Sequence, residues 1–279
     1  MRFTRILHEQ RPRWARIDDE VAHVLDASPI DAFAEGGDSG GARTPRVETT
    51  VPLASVHHLP PVVPPVFYAV GWNYRSHVAH GAALGDAKGV VPTRPEVGYR
   101  ANNALTGHRS PIVVPDGVTG RFEAEGEVVA VIGRRLRRAT REEVVDAIVG
   151  WTIGNDVSAR EWQHADRTFW RSKNSDTFKP MGPWIETDVD PMTQKTTVRV
   201  DGEERASFAT GDMIFDAADY LVEASRYITV NPGDVLWMGA DTTCPIAVGQ
   251  TVEIEISGIG TLTNPVVAET TPSPEGSPA

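Results

Sequence analysis

Glu123, Glu125 and Glu127 occupy every second position of the run Phe122-Glu123-Ala124-Glu125-Gly126-Glu127, which leads directly into the apolar Val128-Val129-Ala130-Val131-Ile132-Gly133. Side chains of a β-strand alternate between its faces, so on one strand these carboxylates share a face, with neighbours roughly 7 Å apart. Carboxylates that close repel unless a cation lies between them, and desolvated carboxylates are tolerated when they coordinate one. The row is therefore a candidate site for a metal held by oxygen ligands. An acidic edge strand facing water gives the same pattern, and the row alone leaves both readings open. A second group that can do chemistry is His77 with His80, which follow Gly71-Trp72-Asn73-Tyr74-Arg75-Ser76. On a helix, residues three apart lie on one face.

The elements around these groups can be read from pattern and turn chemistry. Val66-Phe67-Tyr68-Ala69-Val70 reads as a strand that runs into a turn and a short helix carrying the two histidines. Thr140-Arg141-Glu142-Glu143 has the capping-box form, with Val144, Val145 and Ile148 as the apolar stripe behind it. The strand-like Trp151-Thr152-Ile153-Gly154 follows and delivers Asn155-Asp156-Val157-Ser158-Ala159-Arg160 at its end. Asp201-Gly202 is a hairpin signal, and Asn231-Pro232-Gly233-Asp234 is a turn before Val235-Leu236-Trp237-Met238. The strand signals outnumber the helical ones, which predicts a β-rich α+β protein over a doubly wound sheet.

The chain divides unevenly. Trp14-Ala15-Arg16-Ile17 and Val21-Ala22-His23-Val24-Leu25 read as strands of a small β-rich amino-terminal domain over residues 1–60, with an exposed loop at Gly36-Gly37-Asp38-Ser39-Gly40-Gly41. The cluster Pro60-Pro61-Val62-Val63-Pro64-Pro65 is an extended connector, because proline fixes φ and removes the amide donor. Residues 65–268 form the chemical domain. The tail over 270–279, rich in Pro, Ser and Gly, is expected to be disordered.

Composition narrows the function classes. With 279 residues, 40% hydrophobic and 23% charged, the chain is an ordinary globular protein. A formal charge of −11 argues against nucleic acid or an anionic membrane surface as partner, since both select for basic faces. An anionic small substrate then needs a locally positive pocket. No apolar run approaches the roughly 20 residues of a membrane span, and Met1-Arg2-Phe3-Thr4-Arg5 lacks the apolar stretch of a signal peptide, so a cytoplasmic location is expected. The single cysteine, Cys244, excludes an internal disulfide and any cysteine-based metal cluster.

Four segments in order, Gly71 to His77, Glu125-Gly126-Glu127 before Val128 to Gly133, Asn155 to Arg160 with Gln163, and Lys173-Asn174-Ser175-Asp176-Thr177-Phe178-Lys179-Pro180-Met181-Gly182-Pro183-Trp184, together resemble the fumarylacetoacetate hydrolase family. The resemblance covers roughly residues 65 to 268, and the amino-terminal segment looks like the small domain of bacterial members. It implies a mixed β-sandwich-like roll, usually dimeric, that binds Mg²⁺ or a similar hard cation, with Mn²⁺ or Ca²⁺ as alternatives, and acts on 3-acylpyruvates and related oxo acids. It selects Glu125, Glu127 and Asp156 as metal ligands, and a set of three carboxylates without thiolate agrees with a hard cation. Arg160, Gln163 and Lys173 match the family's substrate-binding and polarising residues, and Asp176 is expected to orient Lys173. His77 matches the catalytic histidine.

Two departures from the pattern fall on groups that should meet substrate. Many hydrolytic relatives have a glutamate three residues after the histidine, where this chain has His80, which supplies no fixed negative charge to orient His77 or raise its basicity. Where relatives commonly read Thr-Gly-Thr-Pro, this chain reads Met238-Gly239-Ala240-Asp241, leaving Thr242 or Thr243 to supply the threonine contact. The leading expectation is a metal-dependent hydrolase that cleaves a carbon-carbon bond in an acylpyruvate-like 1,3-dioxo acid. Isomerisation, oxo-acid decarboxylation or dienoate hydration at the same site are the alternatives, followed by a catalytically silent metal-binding protein.

Overall fold

The computed structural model describes residues 1–35, 45–85 and 88–270, so the Gly36–Gly41 loop and the tail beyond Thr270 lie outside the described residues. The chain opens with β1 (Arg2–His8), β2 (Arg11–Asp18), β3 (Val21–Leu25), helix α1 (Pro29–Glu35), β4 (Val47–Pro52) and β5 (His57–Leu59). The middle holds β6 (Phe67–Ala69), α2 (Arg75–Leu84), β7 (Gly98–Tyr99), β8 (Leu105–Thr106), β9 (Ile112–Val114), β10 (Phe122–Ala124), β11 (Gly126–Ile132), α3 (Arg141–Ala147), β12 (Ile148–Asn155), β13 (Ser158–Ala159), α4 (Arg160–Gln163) and β14 (Lys179–Glu186). The remainder is β15 (Lys195–Val200), β16 (Glu203–Ala209), α5 (Ala217–Ser225), β17 (Val235–Trp237), β18 (Cys244–Pro245), β19 (Thr251–Ile256) and β20 (Gly260–Ala268). No helix among the described residues is long and apolar enough to cross a membrane.

A large sheet runs in the order β4-β3-β2-β1-β14-β12-β11-β17-β6-β7, with β5 on β1 and β8 on β14. A second sheet has the order β16-β15-β19-β20-β9, and a small one the order β13-β10-β18. The fold is β-rich with few helices, as the pattern of the sequence predicts. The amino-terminal strands continue the large sheet, because β1 pairs antiparallel with β14 through Arg2↔Glu186 and Phe3↔Ile185.

β11 shows how the core is built. Its alternating residues face opposite sides: Val128, Ala130 and Ile132 enter the core shared with Val198, Val252 and Ile254, while Val129 and Val131 join Phe67, Met181 and Trp237 on the other face. Two glycines let the layers close. A side chain at Gly126 would meet Val198 Cγ2 at 2.9 Å, and one at Gly154 would meet the Trp237 ring at 2.6 Å. The first holds the head of β11 against the second sheet, and the other brings Trp237 onto β12.

The turn chemistry appears as expected. Thr140 and Glu143 form a reciprocal capping box on α3, with Glu143 N donating to Thr140 Oγ1 at 3.2 Å and Thr140 N to Glu143 Oε2 at 2.7 Å. Asp201 (φ 52°) and Gly202 (φ 78°) sit at the tip of the β15–β16 hairpin in the left-handed region that such turns require.

Candidate active site

The carboxylate row is not one strand. β10 ends at Ala124 and β11 begins at Gly126, in different sheets, so the chain breaks step at Glu125. Glu123 is thereby carried away from the other two and is held by Arg160 Nε at 2.8 Å and Arg121 Nε at 3.0 Å. All three glutamates are buried, at 3–4% exposure, which rules out a water-facing acidic edge.

Asp156 reaches the same place from β12. The antiparallel register Gly126↔Asn155 and Glu127↔Gly154 sets the end of β12 against the head of β11. Asp156 N donates to Glu125 O at 3.0 Å, and Glu125 N donates to Asn155 Oδ1 at 3.0 Å, closing the two backbones on each other. The result brings oxygens of Glu125, Glu127 and Asp156 within 4.8 Å of one another.

Cations surround this triad unevenly. Lys173 Nζ lies between Glu125 Oε2 at 2.6 Å and Asp156 Oδ2 at 2.7 Å. Arg160 reaches Glu125 Oε1 as well as Glu123, and its Nη1 donates to Gln163 Oε1 at 2.9 Å. Two further cations, which the sequence reading does not single out, close on Asp156. Arg100 donates from Nε to Oδ1 at 3.2 Å and from Nη2 to Oδ2 at 2.9 Å, and Lys179 Nζ lies 2.7 Å from Oδ1. The signal for Lys179 was its place at the head of the apolar strand β14, where a charged side chain has no ready access to water.

These neighbours drive the three acids apart. Burial alone raises a carboxyl, but Arg160 and Lys173 outweigh it at Glu125 and bring that group down to about 2. At Asp156 the same burial is overcome by Arg100, Lys173 and Lys179, which hold the acid well below the usual carboxylate range. Glu127 has no ion-pair partner among the described residues. Its one hydrogen bond comes from Gly239 N at 2.8 Å, so burial and the nearby Asp156 and Glu125 push it well above the ordinary value. A buried carboxylate short of positive charge, beside two others aimed at a single ammonium, fits a hard divalent cation held by Glu125, Glu127 and Asp156.

His77 stands at the edge of this cluster. Asn73 anchors the preceding loop, donating from Nδ2 to Phe215 O at 3.0 Å and Met238 O at 2.9 Å and accepting from Phe215 N at 3.0 Å. The first turn of α2 then sets His77 Nε2 3.7 Å from Glu125 Oε1, too far for a hydrogen bond, with the Trp72 ring centroid 4.8 Å away. His77 Nδ1 is buried without a hydrogen-bond partner among the described residues. Burial lowers the imidazole's proton affinity, and Arg160, Lys173 and His80 add to this against the pull of Glu125.

Other expected residues are placed differently. His80, three positions on, is exposed while His77 is buried, so the two do not face one pocket as a helical pair. Thr242 is half-buried in the loop after Met238 and makes no side-chain hydrogen bond among the described residues, while Asp241 accepts a hydrogen bond from Ser76 on α2. Asp176 does not orient Lys173. It accepts from Asn103 Nδ2 at 2.8 Å, and the segment before Lys173 is held instead by Asp166, which accepts from Ser172 N at 2.6 Å and Arg171 N at 3.1 Å. Cys244 is buried, and burial pushes its thiol up to about 11, away from nucleophilic use.

A family model described as Fumarylacetoacetate (FAA) hydrolase C-terminal matches residues 66–267, and one described as Rv2993c-like, N-terminal, matches residues 1–61. The chain belongs to the fumarylacetoacetate hydrolase family. Protein Rv2993c of Mycobacterium tuberculosis is 39% identical over 276 residues, covering 98% of this chain and 100% of that protein. The crystal structure named 2-hydroxyhepta-2,4-diene-1,7-dioate isomerase, from Mycobacterium marinum, matches with a TM-score of 0.82 at 34% identity, over 97% of this chain and 100% of that one. Oxaloacetate tautomerase YisK of Bacillus subtilis is 32% identical over 208 residues, 71% of this chain and 68% of that protein. The family thus contains isomerases and tautomerases beside the hydrolases that name it.

Proposed function

We propose that this protein is a metal-dependent enzyme that interconverts keto and enol forms of a small anionic 2-oxo acid, with carbon-carbon hydrolysis as the second reading. The observation that carries it is a buried His77 set 3.7 Å from a buried carboxylate triad, two of whose members, Glu125 and Asp156, are ringed by cations. A hard divalent cation on Glu125, Glu127 and Asp156, Mg²⁺ in the first instance, would supply Lewis-acid polarisation of the two oxygens of the oxo acid.

The chain's own residues do the rest. His77 Nε2 is the ring nitrogen that approaches the cluster, 3.7 Å from Glu125 Oε1. It accepts a proton from the carbon beside the substrate carbonyl, the C–H pair becomes the C=C bond, and the carbonyl oxygen takes the negative charge. Lys173, between Glu125 and Asp156, would stabilise that charge, and the proton taken up by His77, passed to the oxygen, completes the enol. Arg160 and Gln163, joined at 2.9 Å, are placed to hold a carboxylate of the substrate.

The sequence motifs favour cleavage, and the exposure of His80 moves the balance. Hydrolysis needs an activated water, for which a carboxylate fixed on His77 is the natural helper, whereas enolisation asks only for a base and a stabilised oxyanion. The relatives named isomerase and tautomerase support the same order. The hydrolytic reading keeps its support in His77 and Lys173, which serve either reaction. The test is to give the Mg²⁺-loaded protein oxaloacetate, acylpyruvates and hydroxydienoates while following enol absorbance and identifying products by mass spectrometry. Faster keto–enol exchange without chain cleavage is expected. Cleavage of an acylpyruvate with no effect on exchange would overturn the proposal in favour of hydrolysis.

A further inference from the structure

Two side chains near His77, Trp72 and Asp241, have no part in the proton transfer. Trp72 is held at φ 58°, in the left-handed region that a bulky residue rarely enters. The chain around it enforces this: Asn73 is locked by its bonds to Phe215 and Met238, and a side chain at Gly239 would meet Asn73 Cβ at 3.3 Å. The half-buried indole then lies against His77, ring centroids 4.8 Å apart and planes at 41°. Strained backbone concentrates where it positions a group for use. Asp241, also half-buried, accepts a hydrogen bond from Ser76, the residue before His77. It stands two positions after Gly239, whose N–H holds Glu127. Among the described residues Asp241 forms no ion pair. Arg75, the cation next in the chain, is exposed and about 200° round the helix from His77, so it does not share the imidazole's face.

These two groups bear on what the exchanging carbon can carry. A carbon that gives its proton to His77 Nε2 lies against the imidazole, so its substituent lies beside the imidazole's neighbours. Those neighbours are an aromatic face and a carboxylate. A flat, uncharged substituent gains contact with the indole, whereas a second carboxylate meets the negative face of that ring and the charge of Asp241. We propose that Trp72 and Asp241 make the site select oxo acids with a single carboxylate and an uncharged, flat substituent on the exchanging carbon, an aryl group foremost, over dicarboxylates. The inference rests on the reading of His77 as the base and of Arg160 with Gln163 as the holder of the one carboxylate.

The test compares two pairs of probes on the full chain with saturating Mg²⁺. Oxanilate and N-oxalylglycine are unreactive oxamates that differ in bearing a phenyl ring or a carboxymethyl group, and phenylpyruvate and oxaloacetate differ in the same sense at the exchanging carbon. In calorimetry oxanilate is expected to bind about tenfold or more tightly than N-oxalylglycine, and kcat/KM for enol exchange to favour phenylpyruvate over oxaloacetate by a similar factor. Asp241→Asn, which keeps an acceptor for Ser76, should tighten N-oxalylglycine by about fivefold, and added salt should narrow the preference of the wild type more than that of this variant. Trp72→Asn, whose short side chain tolerates the left-handed backbone, should weaken oxanilate by about fivefold or more. Equal or tighter binding of N-oxalylglycine by the wild type, a comparison that needs no variant, overturns the proposal, as does a preference that both substitutions leave unchanged. The expected preference in calorimetry without exchange of either acid would support this selectivity and remove the tautomerase reading, whereas binding of neither oxamate would remove both.

Discussion

Glu127 and Asp156 present oxygens to one small buried space, yet their neighbours drive them in opposite directions, Asp156 well below and Glu127 well above the ordinary carboxylate range. The asymmetry follows from where the cations stand. Arg100, Lys173 and Lys179 all close on Asp156, whereas among the described residues Glu127 receives only the N–H of Gly239.

Glu127 should therefore trade stability against metal binding. Its raised proton affinity means that the metal-free folded chain binds more protons than the unfolded one above about pH 4.3, so this carboxyl costs stability as pH rises. Glu127→Gln is expected to keep or raise the metal-free thermal midpoint at pH 7, at roughly 2–4 °C for each kcal/mol recovered, while weakening Mg²⁺ binding strongly. Unchanged Mg²⁺ affinity in calorimetry would remove Glu127 from the ligand set.

Lys173 should matter for chemistry more than for folding. Lys173→Met leaves Asp156 with Arg100 and Lys179, and Glu125 with Arg160. The fold and a bound cation should persist while kcat drops by about 10²-fold or more, the order seen when one oxyanion partner is lost. A variant that unfolds yet retains activity when folded would make Lys173 structural.

The two histidines should behave unequally. His77→Ala is expected to be nearly inactive, and His80→Ala to keep a measurable rate, because His77 is buried beside the triad and His80 is exposed. Equal losses in steady-state kinetics would show the pair acting as one unit. Restoring the family residue with His80→Glu is expected to leave the product spectrum unaltered, because position 80 is exposed and does not face the pocket. A gain in hydrolysis would bring position 80 into the reaction.

Acid stability should be governed in part by His58 and His108, whose rings meet edge to face at 4.9 Å between β5 and the loop after β8. Burial, helped by Arg109 and His57, pushes His58 down to about 4, and burial, helped by His58 and Arg109, pushes His108 down to about 3. Unfolded histidine takes up a proton near pH 6.5 as a rough value, so the folded chain binds fewer protons below that point. The pair's contribution is full above about pH 6.5 and declines as pH falls toward the folded values. Melting curves of the wild type should drop across that window, and a double His58→Gln, His108→Gln variant should show a shallower decline. Parallel curves would acquit the pair.

By itself the sequence determined the β-rich character, the capping box at Thr140 and the hairpin at Asp201-Gly202, because these depend on residues adjacent along the chain. It also determined the family and the candidates Glu125, Glu127, Asp156, Lys173 and His77, since motif spacing survives without coordinates. Only the tertiary structure decided what surrounds them. Arg100 reaches Asp156 from 56 residues away, and Glu123 leaves the row because the chain changes sheets at Glu125. Helical spacing set His77 and His80 on one face, but the packing of α2 buries one and exposes the other. Charge neutralisation and desolvation are properties of what packs together from distant parts of the chain, and no local pattern encodes them.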